Sequence, residues 1–435
     1  MTASFASRLA PSALTVSRAR MLTKFISVQV AVQAMGVASG ILLVRVLSRQ
    51  EYAYFIIANS MLATISILAD SGVSIGLTSI GGRVWQDRYR FGQLISTALR
   101  LRRYLAFVAA AVVTPVLVWM LISNGASAPY AAVITLTVLI ALNYQLLSGV
   151  LGVVPRLHSE ISRVQKLDAM AAVSRLVLVA AAYFIFLDTA VALLAGLVGV
   201  VGQYVFLKRW AADHIEPRAP VNREDQSTIL GIVKHQAPNA VFYCLQGQLT
   251  VWLITVFGNT ANVAEVGALA RLGMIFAVIS AVMSTVVLPG FARCQQSALL
   301  RRRYFQIVGG FFLLGAGLIT VAALFPDALL WILGSKYAHL RNELLLMMIL
   351  SAASALIAAM WSLNSTKAWI EYSWLNIPCV ILAQVLLLLF IDISTVKGVL
   401  VFGILSLLPT FLLNSILSWR GFLSLRHSTQ PVARQ

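Results

Sequence analysis

Long apolar runs alternate along this chain with short clusters of charge. Read between those clusters, the apolar positions predict twelve helices, near 24–44, 54–81, 104–122, 130–153, 169–187, 190–207, 232–257, 264–289, 305–325, 343–363, 371–391 and 398–419. Most reach about 20 residues, the length that crosses roughly 30 Å of hydrocarbon at 1.5 Å per residue. Stretches such as 105–122, 174–187 and 380–391 hold almost no charge. The ten-residue alternation that a membrane-spanning strand requires is absent. The fifth and sixth runs are separated by little more than Asp188 and Thr189, so a tight turn is expected there.

Composition agrees with this pattern. Of 435 residues, 60% are hydrophobic and 11% charged, whereas a soluble domain carries about a quarter charged residues. The expected fold class is an all-α polytopic membrane protein. The basic residues fall unevenly: 26 of the 33 lysines and arginines lie in one alternate set of loops and tails, and five (Arg45, Arg49, Lys336, Arg341 and Lys397) in the other. Cytoplasmic loops of membrane proteins are enriched in Lys and Arg, so both termini are expected in the cytoplasm. The net charge of +18 then faces anionic membrane lipids. No nucleic-acid-binding module competes for the same sequence.

The expected organisation is a basic tail at 1–23, a six-helix bundle at 24–207, a cytoplasmic linker at 208–231, a second six-helix bundle at 232–419 and a tail at 420–435. The first tail has no small-residue cleavage site after its apolar run and reads as an anchor for the first helix, not a signal peptide. The halves echo one another: Glu51 aligns with Glu265, and Arg102-Arg103-Tyr104 with Arg302-Arg303-Tyr304. Six helices return the chain to its starting side, so the repeat is parallel, and such repeats place a substrate path at their interface.

A charge within hydrocarbon costs about 2.5–3.5 kcal/mol on insertion scales, so each one needs a reason. Asp70 lies in the second predicted helix, Arg175 about 1.5 turns into the fifth, Arg271 in the outer half of the eighth, and Arg45 at the outer end of the first. The arginines either snorkel to headgroups or line a wet cavity, where a planar guanidinium suits phosphate. Asp70 either lines a polar interior, as an ion-coupling site, or makes a structural bond. Gln33 shares a face with Gln29, while Gln246 and Gln248 lie on different faces, so at most one of these two points into a common cavity. Asn59, Asn143 and Gln145 complete the uncharged polar set. Pro115, Pro238, Pro289, Pro378 and Pro409 permit kinks, and Trp85, Trp210, Trp331 and Trp419 suit the membrane interface.

Catalytic and metal chemistry finds no foothold. Cys244, Cys294 and Cys379 are far apart, the five histidines form no ligand cluster, and no Walker sequence, nucleophile elbow or dinucleotide fingerprint is present. The expectation is a protein without a cofactor or metal that is not an enzyme.

Several segments carry a family likeness. They are RVLSRQEYAYFIIANSML from Arg45 to Leu62, Asp70-Ser71-Gly72-Val73-Ser74, Glu265-Val266-Gly267, Arg271-Leu272 and Pro289. Taken in order along twelve spans, they resemble the bacterial polysaccharide exporters of the multidrug/oligosaccharidyl-lipid/polysaccharide exporter (MOP) superfamily. Ala53, Val73 and Ala268 depart from that family's usual residues. The resemblance implies two six-helix bundles around a V-shaped cavity that opens alternately to either side of the bacterial inner membrane. It implies transport of an undecaprenyl-diphosphate-linked oligosaccharide for O-antigen, exopolysaccharide or capsule assembly, beside a polysaccharide polymerase and glycosyltransferases. Arg45, Arg175 and Arg271 are then the candidates for holding the diphosphate, with Gln33 and Gln246 as further substrate contacts, and the motif match itself supports Arg271 alone. Two other functions compete: a cation-coupled exporter of small molecules, which favours acidic cavity residues, and a non-transporting scaffold for glycan synthesis. The longest outer connection, near 326–342, is too short for a polymerase or ligase.

Overall fold

A computed structural model describes residues 13–427, apart from 159, 185, 217, 218, 284–286, 289, 290, 292, 293, 295 and 368. Pro289 therefore lies outside the described residues. Among the described residues the fold is all-α, in two bundles. The first contains α1 (Ala13–Val46), α2 (Arg49–Asp70), α3 (Val73–Val84), α4 (Arg88–Ser123), α5 (Ala128–Leu151), α6 (Val153–Leu157), α7 (Ile161–Tyr183) and α8 (Thr189–Ala212). The second contains α9 (Arg223–Phe257), α10 (Thr260–Gly273), α11 (Ile275–Val282), α12 (Ser297–Leu324), α13 (Pro326–Leu333), α14 (Arg341–Thr366), α15 (Asn376–Leu388), α16 (Val396–Ser406) and α17 (Leu408–His427). Ten helical segments are long and apolar enough to cross a membrane, and the chain is a multi-pass membrane protein. The two other expected spans fall on α7, whose apolar run is interrupted by Arg163, Lys166, Asp168 and Arg175, and on α15, which covers only 13 residues.

Helix starts follow side-chain capping. Ser48, Asp87, Asp188, Asn222, Asn259 and Thr395 each accept a hydrogen bond from a backbone N–H in the first turn of the helix that follows. Asp188 thereby makes the tight turn into α8. Several helices start well before their apolar runs, as α4 does at Arg88, α7 at Ile161 and α12 at Ser297, and three further boundaries differ from the expected ones. The predicted second helix is broken at Ser71 (φ 32°) and Gly72 (φ 103°), giving α2 and α3. Left-handed backbone interrupts the helix there, and a glycine adopts it without steric cost. The expected linker is mostly helix, because Asn222 starts α9 early, and the connection between α8 and α9 is Asp213–Asn222. α1 runs back to Ala13, into the basic tail.

Packing forms three buried clusters. The largest lies where α1 ends and α2 begins, and it draws on both bundles: Leu43, Tyr52, Phe55 and Leu117 from the first, and Val266, Leu269, Leu333 and Leu344 from the second. The other two lie at the opposite end, called here the basic end. One is built on Phe91, Leu94 and Val154 of the first bundle with Ile229 and Val233 of α9, the other on Phe291, Tyr304 and Leu363 of the second. The molecule therefore has one core shared by both bundles, while at the basic end α9 packs against α3 and α4 of the first bundle, tied by the ion pair of Arg90 with Asp225, and Phe291, Tyr304 and Leu363 cluster apart from them. Gly267 allows the closest crossing: a Cβ there would lie 2.4 Å from Ile56 Cγ1, and Tyr52 donates from its hydroxyl to the Gly267 carbonyl at 3.2 Å.

Candidate functional site

A cavity of about 590 Å³ opens within the first bundle. Its polar lining comprises Gln33, Asn59, Gln145, Arg156, Asp168, Arg175 and Gln203. Asp168 and Arg175 are seven residues apart on α7 and, with Ala171 and Ala172, share one helical face. Gln203 of α8 donates to Asp168 Oδ1 at 2.7 Å. Because α7 starts at Ile161, Arg175 lies fourteen residues, or about 21 Å, from the basic end, far deeper than the 1.5 turns expected.

At that depth the two bundles each contribute a guanidinium. Arg175 of α7 and Arg271 of α10 both lie 5.9 Å from the centroid of Phe55, so their guanidinium carbons can be no farther apart than twice that distance. They are within electrostatic reach of one another. Arg271 has a seat: its Nε–H donates to the Tyr52 hydroxyl at 3.2 Å, and its stem lies against Gly40 of α1, where a Cβ would approach it to 3.1 Å. Arg175 does not, since its Nε is buried without a hydrogen-bond partner. A half-buried guanidinium that faces another cation and whose Nε lacks an acceptor is favourable ground for an anion. Two guanidinium forks on an aromatic face, at the closed apex of an open cavity, suit a phosphate or diphosphate.

The other residues singled out from sequence lie elsewhere. Gln33 lines the cavity. Gln246 belongs to the second bundle, where its amide is taken up by reciprocal hydrogen bonds with Gln384 at 2.9 and 2.7 Å. Gln248 instead joins the bundles by accepting from Ser60 at 2.6 Å. Asp70 accepts from the Ser74 hydroxyl at 2.6 Å and pairs with Arg102 at 3.0 Å, so it ties α2 to α3 and α4. Gly149 leaves room for the Arg102 guanidinium. Removing Arg102 strands a half-buried carboxylate, so Arg102→Ala is expected to cost about 3 kcal/mol of stability. Thermal unfolding in detergent measures this, and partial recovery in the double variant Asp70→Asn/Arg102→Gln distinguishes a structural pair from a coupling site.

Arg45 lies at the closed end, away from the arginine pair. Its Nε–H donates to the Ile332 carbonyl at 2.8 Å and its guanidinium stacks on Trp331 at 4.7 Å, satisfying the end of α13. Lys336 answers from the second bundle by donating to the carbonyls of Arg45 and Leu47, while Arg49 donates to the Lys336 carbonyl and pairs with Glu265 at 3.8 Å. Burial, and then the charge of Arg49, push the Lys336 ammonium below the usual lysine range. Glu265 also binds His339 at 3.0 Å, and Thr260 donates to Asn124. Three of the five basic residues expected on the outer side are thus parts of a latch across the two bundles. The repeated glutamates have diverged: Glu265 ties the two bundles together, whereas Glu51 holds Tyr130 and Thr189 within the first.

No protein-family model matches the sequence, and no curated protein matches it. The architecture does match solved structures. An inward-facing multidrug-resistance MATE family transporter of the MOP superfamily superposes with a TM-score of 0.67 at 15% identity, covering 93% of this chain and 100% of the other. The lipid II flippase MurJ, in an inward closed conformation, gives 0.68 at 12% identity over 92% and 89%. This chain has the MOP fold. An outward-facing MATE transporter of the same superfamily scores 0.52 at 16% identity over 93% and 94%.

Sequence reasoning missed Asp168, Gln203, Arg102 and the latch. Asp168 was within reach: counting back seven residues from Arg175 on one helical face arrives at it, but only if the helix is extended through Arg163 and Lys166. The contacts of Lys336 with Arg45 and of Arg102 with Asp70 join distant parts of the chain and have no local signal.

Proposed function

We propose that this chain is a flippase for an undecaprenyl-diphosphate-linked oligosaccharide, working by alternating access in the bacterial inner membrane with both termini cytoplasmic. The observation that carries this reading is the convergence of Arg175 and Arg271, one from each bundle, on Phe55 at the apex of the opening, with the Arg175 Nε lacking any acceptor. A diphosphate bridging them completes both guanidinium forks and at the same time links the two bundles that must rock against one another. The lipid tail stays in hydrocarbon beside the gap, and release of the latch at Arg45, Arg49, Lys336 and Glu265 opens the far side. Anionic lipids face the basic loops. Glycosyltransferases, acting before this step, supply the glycan, and a polymerase, acting after it, consumes it.

The test is the lipid-linked glycan of cells lacking the protein, resolved by membrane side. Accumulation of a diphosphate-linked oligosaccharide on the cytoplasmic face, with surface polymer lost, is expected. Unchanged surface polysaccharide without accumulation rejects the reading. A second reading, a cation-coupled exporter of small molecules, draws on Asp168, an acidic side chain lining the cavity. It predicts that the deletion strain becomes sensitive to cationic compounds while its surface glycan is intact. A scaffold that does not transport predicts normal polymer output after Arg175 and Arg271 are neutralised together.

A further inference from the structure

The cavity in the first bundle holds more polar chemistry than a diphosphate needs. Arg175 and Phe55 line it, and Arg271 meets Arg175 across that ring without lining the cavity itself. Asp168 lies seven residues from Ile161, about 10 Å from the basic end, and Arg175 lies about two turns deeper on the same face. Apart from Arg156 and Arg175, its lining is uncharged but for one carboxylate, and the long polar side chains are Gln33, Asn59, Gln145, Gln203 and Asp168.

We propose that this cavity is a glycan subsite, in which the Asp168–Gln203 pair reads the hydroxyl pattern of the sugars next to the diphosphate. The proposal rests on the flippase reading above and names the part of the substrate that the first bundle selects. Four observations carry it. The Gln203 Nε2–H donates to Asp168 Oδ1 at 2.7 Å, so the two side chains hold one another in place before any ligand arrives. Asp168 Oδ2, the Gln203 carbonyl and the second Gln203 N–H remain for a ligand, two acceptors and one donor in a fixed arrangement. Each sugar hydroxyl both donates and accepts, so adjacent hydroxyls match such a set, and a sugar with one hydroxyl inverted does not. A site built to hydrogen-bond a hydroxyl discriminates strongly, because its buried polar groups are left unpaired by the wrong ligand.

The second observation is charge. Arg156 lines the same cavity within electrostatic reach of Asp168, so the carboxylate already has a positive neighbour and is poorly placed to hold a free cation. The third is size: about 590 Å³ falls within the roughly 300–1,000 Å³ of ligand-binding clefts. The fourth is asymmetry. In the second bundle Gln246 and Gln384 bond to one another reciprocally, and neither lines this cavity. Sugar selection therefore falls to the first bundle, while the diphosphate is shared by both.

The experiment compares two probes on purified full-length protein in detergent: undecaprenyl diphosphate without sugar, and the lipid-linked oligosaccharide pool extracted from the producing cell. The parent is expected to bind the glycan-bearing lipid at least tenfold more tightly than the bare carrier. Gln203→Ala and Asp168→Asn are each expected to remove that tenfold preference and to leave affinity for the bare carrier as it was, which also shows that the variants are folded. A parent that binds both probes equally, or variants that weaken both to the same degree or neither, overturn the subsite and leave the flippase reading standing. A parent that binds neither probe overturns the flippase reading itself.

Discussion

An Arg175→Gln variant is expected to fold at least as well as the parent and to transport its lipid substrate at least tenfold more slowly. The two halves of this result come from the same geometry. Arg175 is a cation whose Nε has no acceptor and whose neighbour across Phe55 is a second cation. Removing its charge relieves that repulsion and the cost of a buried unsatisfied donor. A group kept for packing behaves in the opposite way and loses stability when replaced. The loss of transport follows from the charge-assisted hydrogen bonds that a guanidinium makes to phosphate, about 1.5–3 kcal/mol, which corresponds to roughly 10–150-fold in affinity. Arg175→Lys keeps the charge but not the planar fork and is expected to lie between parent and glutamine variant. Arg271→Gln provides the contrast, because it also removes the bond to the Tyr52 hydroxyl and so loses stability along with transport. The measurements are thermal unfolding and flipping of a fluorescent lipid-diphosphate oligosaccharide in liposomes. An Arg175→Gln protein that unfolds earlier and transports normally would falsify the assignment.

A Gly267→Val substitution is expected to strain the crossing of the two bundles at their closed end and shift the protein away from the conformation in which they touch there. A Cβ at this position lies 2.4 Å from Ile56 Cγ1 and 2.7 Å from Cδ1, too close for the side chain to yield without moving a helix. Overpacking of this kind costs about 1–3 kcal/mol. Because the contact joins α2 of one bundle to α10 of the other, the cost falls on the conformation in which they touch. That energy changes the ratio of molecules with this crossing closed to molecules with it open by roughly 5–150-fold. The second variant, Gly267→Val/Ile56→Ala, restores the lost space with similar total volume and is expected to recover the parental ratio. Accessibility of a single engineered cysteine at position 125, in the turn after α4 at the closed end, reports the shift through its rate of labelling by a membrane-impermeant thiol reagent. Equal rates in parent and Gly267→Val would show that the crossing does not control the opening.

Read from sequence alone, the membrane class, most of the spans and the sidedness of the charge rest on local properties. Hydropathy over about twenty residues decides insertion, and basic residues next to each span bias orientation, so neither needs knowledge of which helices touch. The capping side chains at Ser48, Asp188 and Asn259 are local as well, and place helix starts to within a few residues. The boundaries that shifted did so for local reasons that hydropathy ignores. Ser71 and Gly72 break a continuous apolar run by backbone conformation, and Asn222 starts a helix inside a polar stretch. What a charged residue does within a span was decided by tertiary packing. Asp70 and Arg175 are alike in hydropathic terms, but one is closed by Arg102 from a neighbouring helix and the other has no partner. Arg45 and Arg271 likewise differ only in what the other bundle brings to them: backbone carbonyls in the first case, the Tyr52 hydroxyl and the face of Phe55 in the second. A guanidinium or carboxylate in hydrocarbon is governed by groups within a few ångströms, and those groups come from other helices, 32 residues away for Asp70 and Arg102 and more than 200 for Arg45 and Arg271. The sequence by itself therefore determined where charge enters the membrane, and the tertiary structure decided which of those charges is left without a partner.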